Sequence, residues 1–370
     1  MAKRVLIIGG YGNFGALAAE RLAMDPNIQL IIAGRSAEKA EALAKNLKAA
    51  RSVGIAIFDY RSGLEAALEQ HQPDIVLHTS GPFQGQDYAV AKACIAAGCH
   101  YLDLADARAF VPGITALDEE ARANDLLVIS GASSVPGLSS AIIDQYLPGF
   151  QELTSVEYGI GTAQRTSRGL ATTEAVLSYA GEPFETLKDG HMQPVYGWQD
   201  FHFRKLPGLG WRGFANCDIP DLSLLPARYP SLQTVRFYAG LEVKIMQVGL
   251  WLMSWGHRLR LLPNLKRLAR PLLGMSRWFD HFGGDDSLLF MTLSGKGTDG
   301  QPRKIRFQVT ARKGDGLNIP ITPAVILIKK LATDSCKTRG AIPCMGLVSL
   351  EEIKAELADL RVEWIATEKA

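Results

Sequence analysis

Gly10, Gly12 and Gly15 fall in the spacing G-x-G-x-x-G, inside the run Gly10-Tyr11-Gly12-Asn13-Phe14-Gly15. The spacing carries chemistry only when a strand leads into it and a helix leaves it. Val5-Leu6-Ile7-Ile8 is the continuous apolar run of a buried parallel strand. Ala16, Leu17, Ala19 and Leu22 follow at helical spacing, and Leu30-Ile31-Ile32-Ala33 reads as a second strand. In such a unit one glycine permits the tight turn and one lets backbone N–H groups approach a pyrophosphate. The third lets the helix pack closely on the strand, and the helix N-terminus adds partial positive charge. The run Gly10 to Gly15 is therefore expected to bind a dinucleotide, with Tyr11, Asn13 and Phe14 in the loop. At the end of the second strand stands Ala33-Gly34-Arg35-Ser36, with no Asp or Glu to bond a ribose hydroxyl. Arg35 offers a planar donor fork and Ser36 a hydroxyl, which suit a 2′-phosphate. The expected cofactor is NADP(H) rather than NAD.

Further β-units follow. Strand three, Val53 to Phe58, closes on Asp59, expected near the adenine. Strand four, Ile75 to Thr79, runs into Ser80-Gly81-Pro82-Phe83, at the carboxyl end where ligands of this fold bind. Strand five is His100 to Leu104, and strand six, Leu126 to Ile129, leads to Gly131-Ala132-Ser133-Ser134-Val135-Pro136-Gly137. Six such units make a doubly wound sheet. Candidate proton donors near a nicotinamide are Tyr88, Asp103, Asp106, Ser133 and Ser134, with Asp103 equally readable as a structural carboxylate. Tyr88-x-x-x-Lys92 also matches the catalytic pair of short-chain dehydrogenases, but it follows strand four, where that family places it after strand five.

The glycine loop, the Gly34-Arg35 pair, Gly81-Pro82-Phe83, the Ala93-Cys94-x4-Gly98-x2-Tyr101-x-Asp103 run and the Ser-Val-Pro-Gly turn, in this order, resemble the saccharopine dehydrogenase-like oxidoreductases. Gly346-Leu347-Val348-Ser349-Leu350 extends the likeness at the C-terminus. The resemblance implies a Rossmann domain joined to an α+β substrate and dimerisation domain, with C-terminal helices returning to the first domain. It also implies hydride transfer to or from an imine, carbonyl or related unsaturated carbon. Two positions depart from it: Val135 stands where saccharopine reductases carry an acid, and Ala105-Asp106 where many relatives carry Gly-Glu. Both bear on the substrate, which stays open as a small or lipid-like molecule. The expected division is 1–132, 133–320 and 321–370.

In the second half, Leu153 to Gly161, Thr234 to Ala239, Leu288 to Leu293 and Ile305 to Ala311 read as strands of an antiparallel sheet. Thr172 and Thr173 read as helix caps, Thr322-Pro323 as a helix start, and Ser349-x-x-Glu352 as the capping box of the last helix. Residues 243–279 hold no Asp or Glu but seven Lys or Arg, with Trp251, Trp255 and Trp278. Trp251, Trp255, Leu259 and Leu262 fall on one helical face, as in a helix that meets an anionic membrane surface or an acyl ligand. The alternative is a helical insertion packed on its own domain or in a homodimer. A net charge of +2, with the basic residues interleaved with leucine, excludes a nucleic-acid partner. Five scattered cysteines fit no zinc site and suit a reducing, cytoplasmic setting. Val5 to Ile8 is too short for the core of a signal peptide, and the uncharged run Ile245 to Gly256 is shorter than the ~20 residues of a membrane span. The function that competes with a reductase is a membrane-associated NADP-binding protein without turnover.

Overall fold

The computed structural model describes residues 2–167 and 169–369. The chain divides into two compact units, residues 1–142 with 317–357, and residues 143–316 with 358–370.

The first unit is an α/β layer fold. Its strands are β1 (Lys3–Ile8), β2 (Ile28–Gly34), β3 (Gly54–Ile57), β4 (Ile75–His78), β5 (His100–Asp103) and β6 (Leu127–Ser130), plus a late strand Gly340–Pro343. They pair in parallel in the order late strand-β6-β5-β4-β1-β2-β3. The order reverses between β1 and β4, the topological switch point where dinucleotides bind. Helices α1 (Asn13–Ala23), α2 (Ala37–Asn46), α3 (Leu64–His71) and α4 (Ala89–Ala96) are the crossovers. The apolar runs read from the sequence are the sheet core: Val5 to Ile8, Ile32, Ala33 and Ile75 to Leu77 are buried. A helix Asn318–Ala332 packs beside α1, and Leu350–Glu356 packs on that helix. The first of these starts four residues before the expected Thr322-Pro323. Pro323 removes one N–H from the ladder, and the Thr322 hydroxyl donates to the Asn318 carbonyl at 2.8 Å. The capping box at Ser349 and Glu352 forms.

The second unit holds a seven-stranded sheet and a separate hairpin. Its strands are β7 (Phe150–Thr162), β8 (Pro183–Lys188), β9 (His191–Tyr196), β10 (His202–Leu206), β11 (Gly210–Asn216), β12 (Thr234–Leu241), β13 (Ser287–Gly297) and β14 (Pro302–Ala311). The large sheet runs β10-β11-β12-β7-β13-β14 and closes with Val362–Lys369. Two expectations are corrected. The sheet is mixed, because β7 and β12 pair in parallel after a long crossover that includes the β8-β9 hairpin. The chain also does not end in helices: Val362, Trp364 and Ala366 alternate along a strand that pairs with β14. A third correction concerns Thr172 and Thr173, which lie inside the helix Leu170–Ser178 behind its N-cap Gly169.

Residues 243–279 form the helix Lys244–Arg258, a short turn and the helix Ala269–Ser276. One face packs inward: Leu250, Leu265 and Ala269 join Leu177, Ala180, Trp198 and Ala215 in one core. The expected aromatic face is split. Trp251 lies near Phe201 and Leu262 covers Gly256, whereas Trp255 and Leu259 are exposed. Among the described residues no helix is long and apolar enough to cross a membrane.

Candidate functional site

At the end of β1 the backbone turns at Gly9, φ +77°, where a Cβ would lie 2.5 Å from Ser80 Oγ and 2.9 Å from Thr79 Oγ1. Only glycine fits both constraints. The Gly12 N–H donates to the Gly9 carbonyl at 2.8 Å, and the Ala16 N–H to the Gly12 carbonyl at 2.9 Å, which starts α1. The motif glycines then separate by role. A Cβ on Gly15 would collide with the Gly9 carbonyl oxygen and lie 2.8 Å from Gly10 Cα; one on Gly10 would lie 2.9 Å from the Ile7 carbonyl oxygen. Those two let helix and strand close up. Gly12 is exposed, and a Cβ there meets only the Gly9 carbonyl oxygen, at 3.1 Å. Helix α1 starts with no side-chain cap and no acidic residue in its first turn. Its positive end, at an exposed glycine, suits a pyrophosphate.

Tyr11 joins this loop to the end of β2. Its hydroxyl accepts the Ser36 N–H at 2.9 Å, and its ring occupies the space that a Gly34 side chain would need. Ser36 is the N-cap of α2, its hydroxyl accepting the Lys39 N–H at 3.4 Å, so the hydroxyl expected to meet a phosphate is shared with the helix start. Arg35 is exposed and makes no ion pair among the described residues. Asp59 shapes a turn: its carboxylate accepts the Arg61 N–H at 3.1 Å, and its carbonyl accepts those of Ser62 and Gly63.

The loop after β4 is tied to the same place. The Thr79 hydroxyl donates to the carbonyls of Ile8 and Gly9 at 2.9 and 3.2 Å. Gln86 Nε2 donates to the carbonyls of Ser80 and Pro82 at 3.0 and 2.8 Å, which holds the Ser80-Gly81-Pro82 backbone. Phe83 is only 4% exposed, its ring set edge-on to His78, so it offers a ligand backbone alone. His78 itself is buried. Its Nδ1 lies 3.3 Å from the Tyr101 hydroxyl, its Nε2 has no hydrogen-bond partner among the described residues, and burial lowers its pKa to about 3, so the ring is neutral.

Among the proton-donor candidates, Asp103 is fully buried and accepts four hydrogen bonds, from the Tyr101 and Ser130 hydroxyls and the Ala105 and Gly131 N–H groups, at 2.8–3.0 Å. Burial pushes its pKa up to about 6 against the pull of those donors. The carboxylate joins the ends of β5 and β6. The Tyr88 hydroxyl donates to the Phe110 carbonyl at 2.7 Å, and burial raises its pKa. Ser133 and Ser134 are buried in the turn after β6. Asp106, after β5, is exposed and accepts from Gln84 Nε2 at 3.2 Å. Gly9, Thr79, Gln86 and His78 also build this place, beyond the residues expected to bind or react. The doubled Gly9-Gly10 at a strand end was a signal for the first; nothing local marks the other three.

A parallel sheet in this strand order, with a glycine turn opening α1 at the switch point, defines a dinucleotide-binding Rossmann unit. Residues 5–129 match the family described as "Saccharopine dehydrogenase NADP binding domain". The first unit is thus a saccharopine dehydrogenase-type NADP-binding domain, and its cofactor is NAD(P)(H). No curated protein matches the chain by sequence. Among solved structures, the fold is similar to "Apo histidine-tagged saccharopine dehydrogenase (L-Glu forming)" from Saccharomyces cerevisiae, TM-score 0.70 and 14% identity over 100% of both chains. Fainter likenesses are an amine dehydrogenase from Mycobacterium smegmatis (TM-score 0.49, 11% identity, 93% of this chain and 95% of that one) and a biliverdin reductase from Synechocystis (TM-score 0.42, 14% identity, 96% of each).

Proposed function

We propose that this protein is an NADP(H)-dependent oxidoreductase that transfers hydride to or from an imine, carbonyl or related unsaturated carbon. The observation that supports this reading best is Arg35: an exposed guanidinium without an ion pair, on a turn held by Tyr11, where a NAD site would carry an acid. Bound NADPH supplies the hydride. The chain's part is to bind and orient. The open end of α1 at Gly12 takes the pyrophosphate, Arg35 pairs with the 2′-phosphate, and the Thr79 and Gln86 bonds keep the β4 loop in place. Of the five candidate donors, Asp106 is the exposed acid, and its pKa is raised above the ordinary carboxylate value; we assign its protonated carboxyl the proton delivered to the substrate, regained from solvent after each turnover.

The test is NADPH oxidation by the full chain against a panel of imines, ketones and enoyl thioesters. One class should be reduced, and Asp106→Asn should lower kcat by about 10²–10⁴-fold, the range usual for general acid catalysis, with NADPH affinity unchanged. Unaltered turnover in that variant would move the proton donor elsewhere. NADPH binding without oxidation of any class would favour a protein that binds cofactor without turnover.

A further inference from the structure

The second unit holds a cavity of about 290 Å³ with no role in the reading above, and every residue that lines it belongs to that unit. Three helices build it. Leu170–Ser178 supplies Val176 and Leu177, Lys244–Arg258 supplies Leu250 and Met253, and Ala269–Ser276 supplies Leu272 and Leu273. The few polar groups on the wall are hydroxyls, from Thr172, Thr173 and Ser276 among others, and among the described residues no charged side chain lines it. Ile245 and Met275, also part of the lining, are 66% and 48% exposed, so the cavity reaches the surface between the second and third helices. Such a space takes an apolar ligand, and its volume is near the lower end of the roughly 300–1,000 Å³ of small-molecule sites.

A second observation specifies the ligand's other end. The stretch 243–279 has seven Lys or Arg and no acid. Arg270 and Arg277 flank the lining residues Leu272 to Ser276 in sequence, are exposed, and make no ion pair among the described residues. Apolar side chains also crowd this surface: Ile245, Leu252, Trp255 and Leu259 recur along one side of their helix, and Leu261 and Trp278 are 76% and 73% exposed. Exposed apolar side chains gathered in one stretch suit a binding site, and cations with no ion pair among the described residues call for an anionic partner.

We infer that this cavity binds one acyl chain of an anionic amphiphile, its tail between the three helices and its head group at Arg270 and Arg277. The inference does not depend on the cofactor reading. Gly249 supplies a selective probe. It lines the cavity from inside its helix, and a Cβ there meets no atom within 4 Å. Gly249→Leu therefore fills the space without a clash and replaces a poor helix former by a good one.

The experiment is calorimetric titration of the full chain with octanoate, decanoate, dodecanoate and tetradecanoate, each below its micelle concentration. Affinity should rise about fourfold per methylene, the factor that 0.8 kcal/mol per buried CH₂ gives, and level off near the length that fills the cavity. Gly249→Leu should melt no lower than the parent yet bind dodecanoate at least tenfold more weakly. Arg270→Glu with Arg277→Glu should weaken dodecanoate and leave dodecanol unchanged. Co-sedimentation with phosphatidylglycerol vesicles separates the sources. Vesicle binding lost in Gly249→Leu means the chain comes from a membrane lipid; dodecanoate binding alone means a soluble amphiphile. Affinity independent of chain length, dodecanoate binding untouched by Gly249→Leu, or vesicle binding without any dodecanoate binding would each overturn the inference.

Discussion

Arg35 and Tyr11 act on the same turn, one through charge and one through position. Arg35→Ala should remove most of the preference for NADPH over NADH, because a charge-assisted phosphate contact supplies about 1.5–3 kcal/mol. Tyr11→Phe loses the hydrogen bond to the Ser36 N–H, worth about 1 kcal/mol, and should weaken NADPH several-fold while leaving a residual preference. Paired titrations of both variants check this. The role proposed for Arg35 is legible because an acid is missing from a position where one is expected. The part played by Tyr11 was not, because a bond between residues 25 positions apart leaves no local pattern. Asp103 is the other informative side chain. Its pKa is raised to about 6 from 3.8, so the folded state keeps a proton that the unfolded chain releases. Its contribution is complete below about 4 and is lost as pH rises through about 6. His78 works in the opposite sense: with its pKa lowered to about 3 from 6.5, stability is lost as pH falls below 6.5. The gap in Tm between the parent and Asp103→Asn should thus be wider at pH 4 than at pH 7. A gap that widens toward pH 7 would mean that the four donors outweigh burial.

At the scale of elements, the glycine turn makes two different demands on glycine. Gly15→Ala puts a methyl into the Gly9 carbonyl and should destabilise the first unit by about 1–3 kcal/mol. Gly12→Val meets only the Gly9 carbonyl oxygen, at 3.1 Å, and should cost less in the melt than Gly15→Ala while abolishing NADPH binding. Thermal melts with and without NADPH separate the two; normal NADPH binding by Gly12→Val would show that the loop does not meet the pyrophosphate. The first sheet was readable because buried parallel strands are continuous apolar runs, as Val5 to Ile8 and Ile75 to Leu77 are. The second sheet was less so. The β8-β9 hairpin turns at Asp189-Gly190, both at positive φ, a two-residue Asp-Gly signal, but its strands bury only Thr186 and Leu187 and lack a clear alternation. The last strand was hidden by the helix start at Ser349, whose capping box is real but whose helix ends at Glu356.

For the whole molecule, the sequence order of the two units is not their spatial order: the chain leaves the first unit at residue 142, returns at 317 and leaves again at 357. Composition hardly changes across these points, so the crossings could not be read from it. The cofactor loops fall in the first unit and the proposed acyl cavity in the second, which makes their ligands separable in one preparation. The central claim is that the first unit selects NADPH through Arg35. Calorimetric titration of the full chain with NADPH and with NADH tests it most directly. Binding should be at least tenfold tighter for NADPH, a difference of about 1.4 kcal/mol or more, and that difference should nearly disappear in Arg35→Ala; equal affinities for the two cofactors in the parent chain would contradict selection by Arg35.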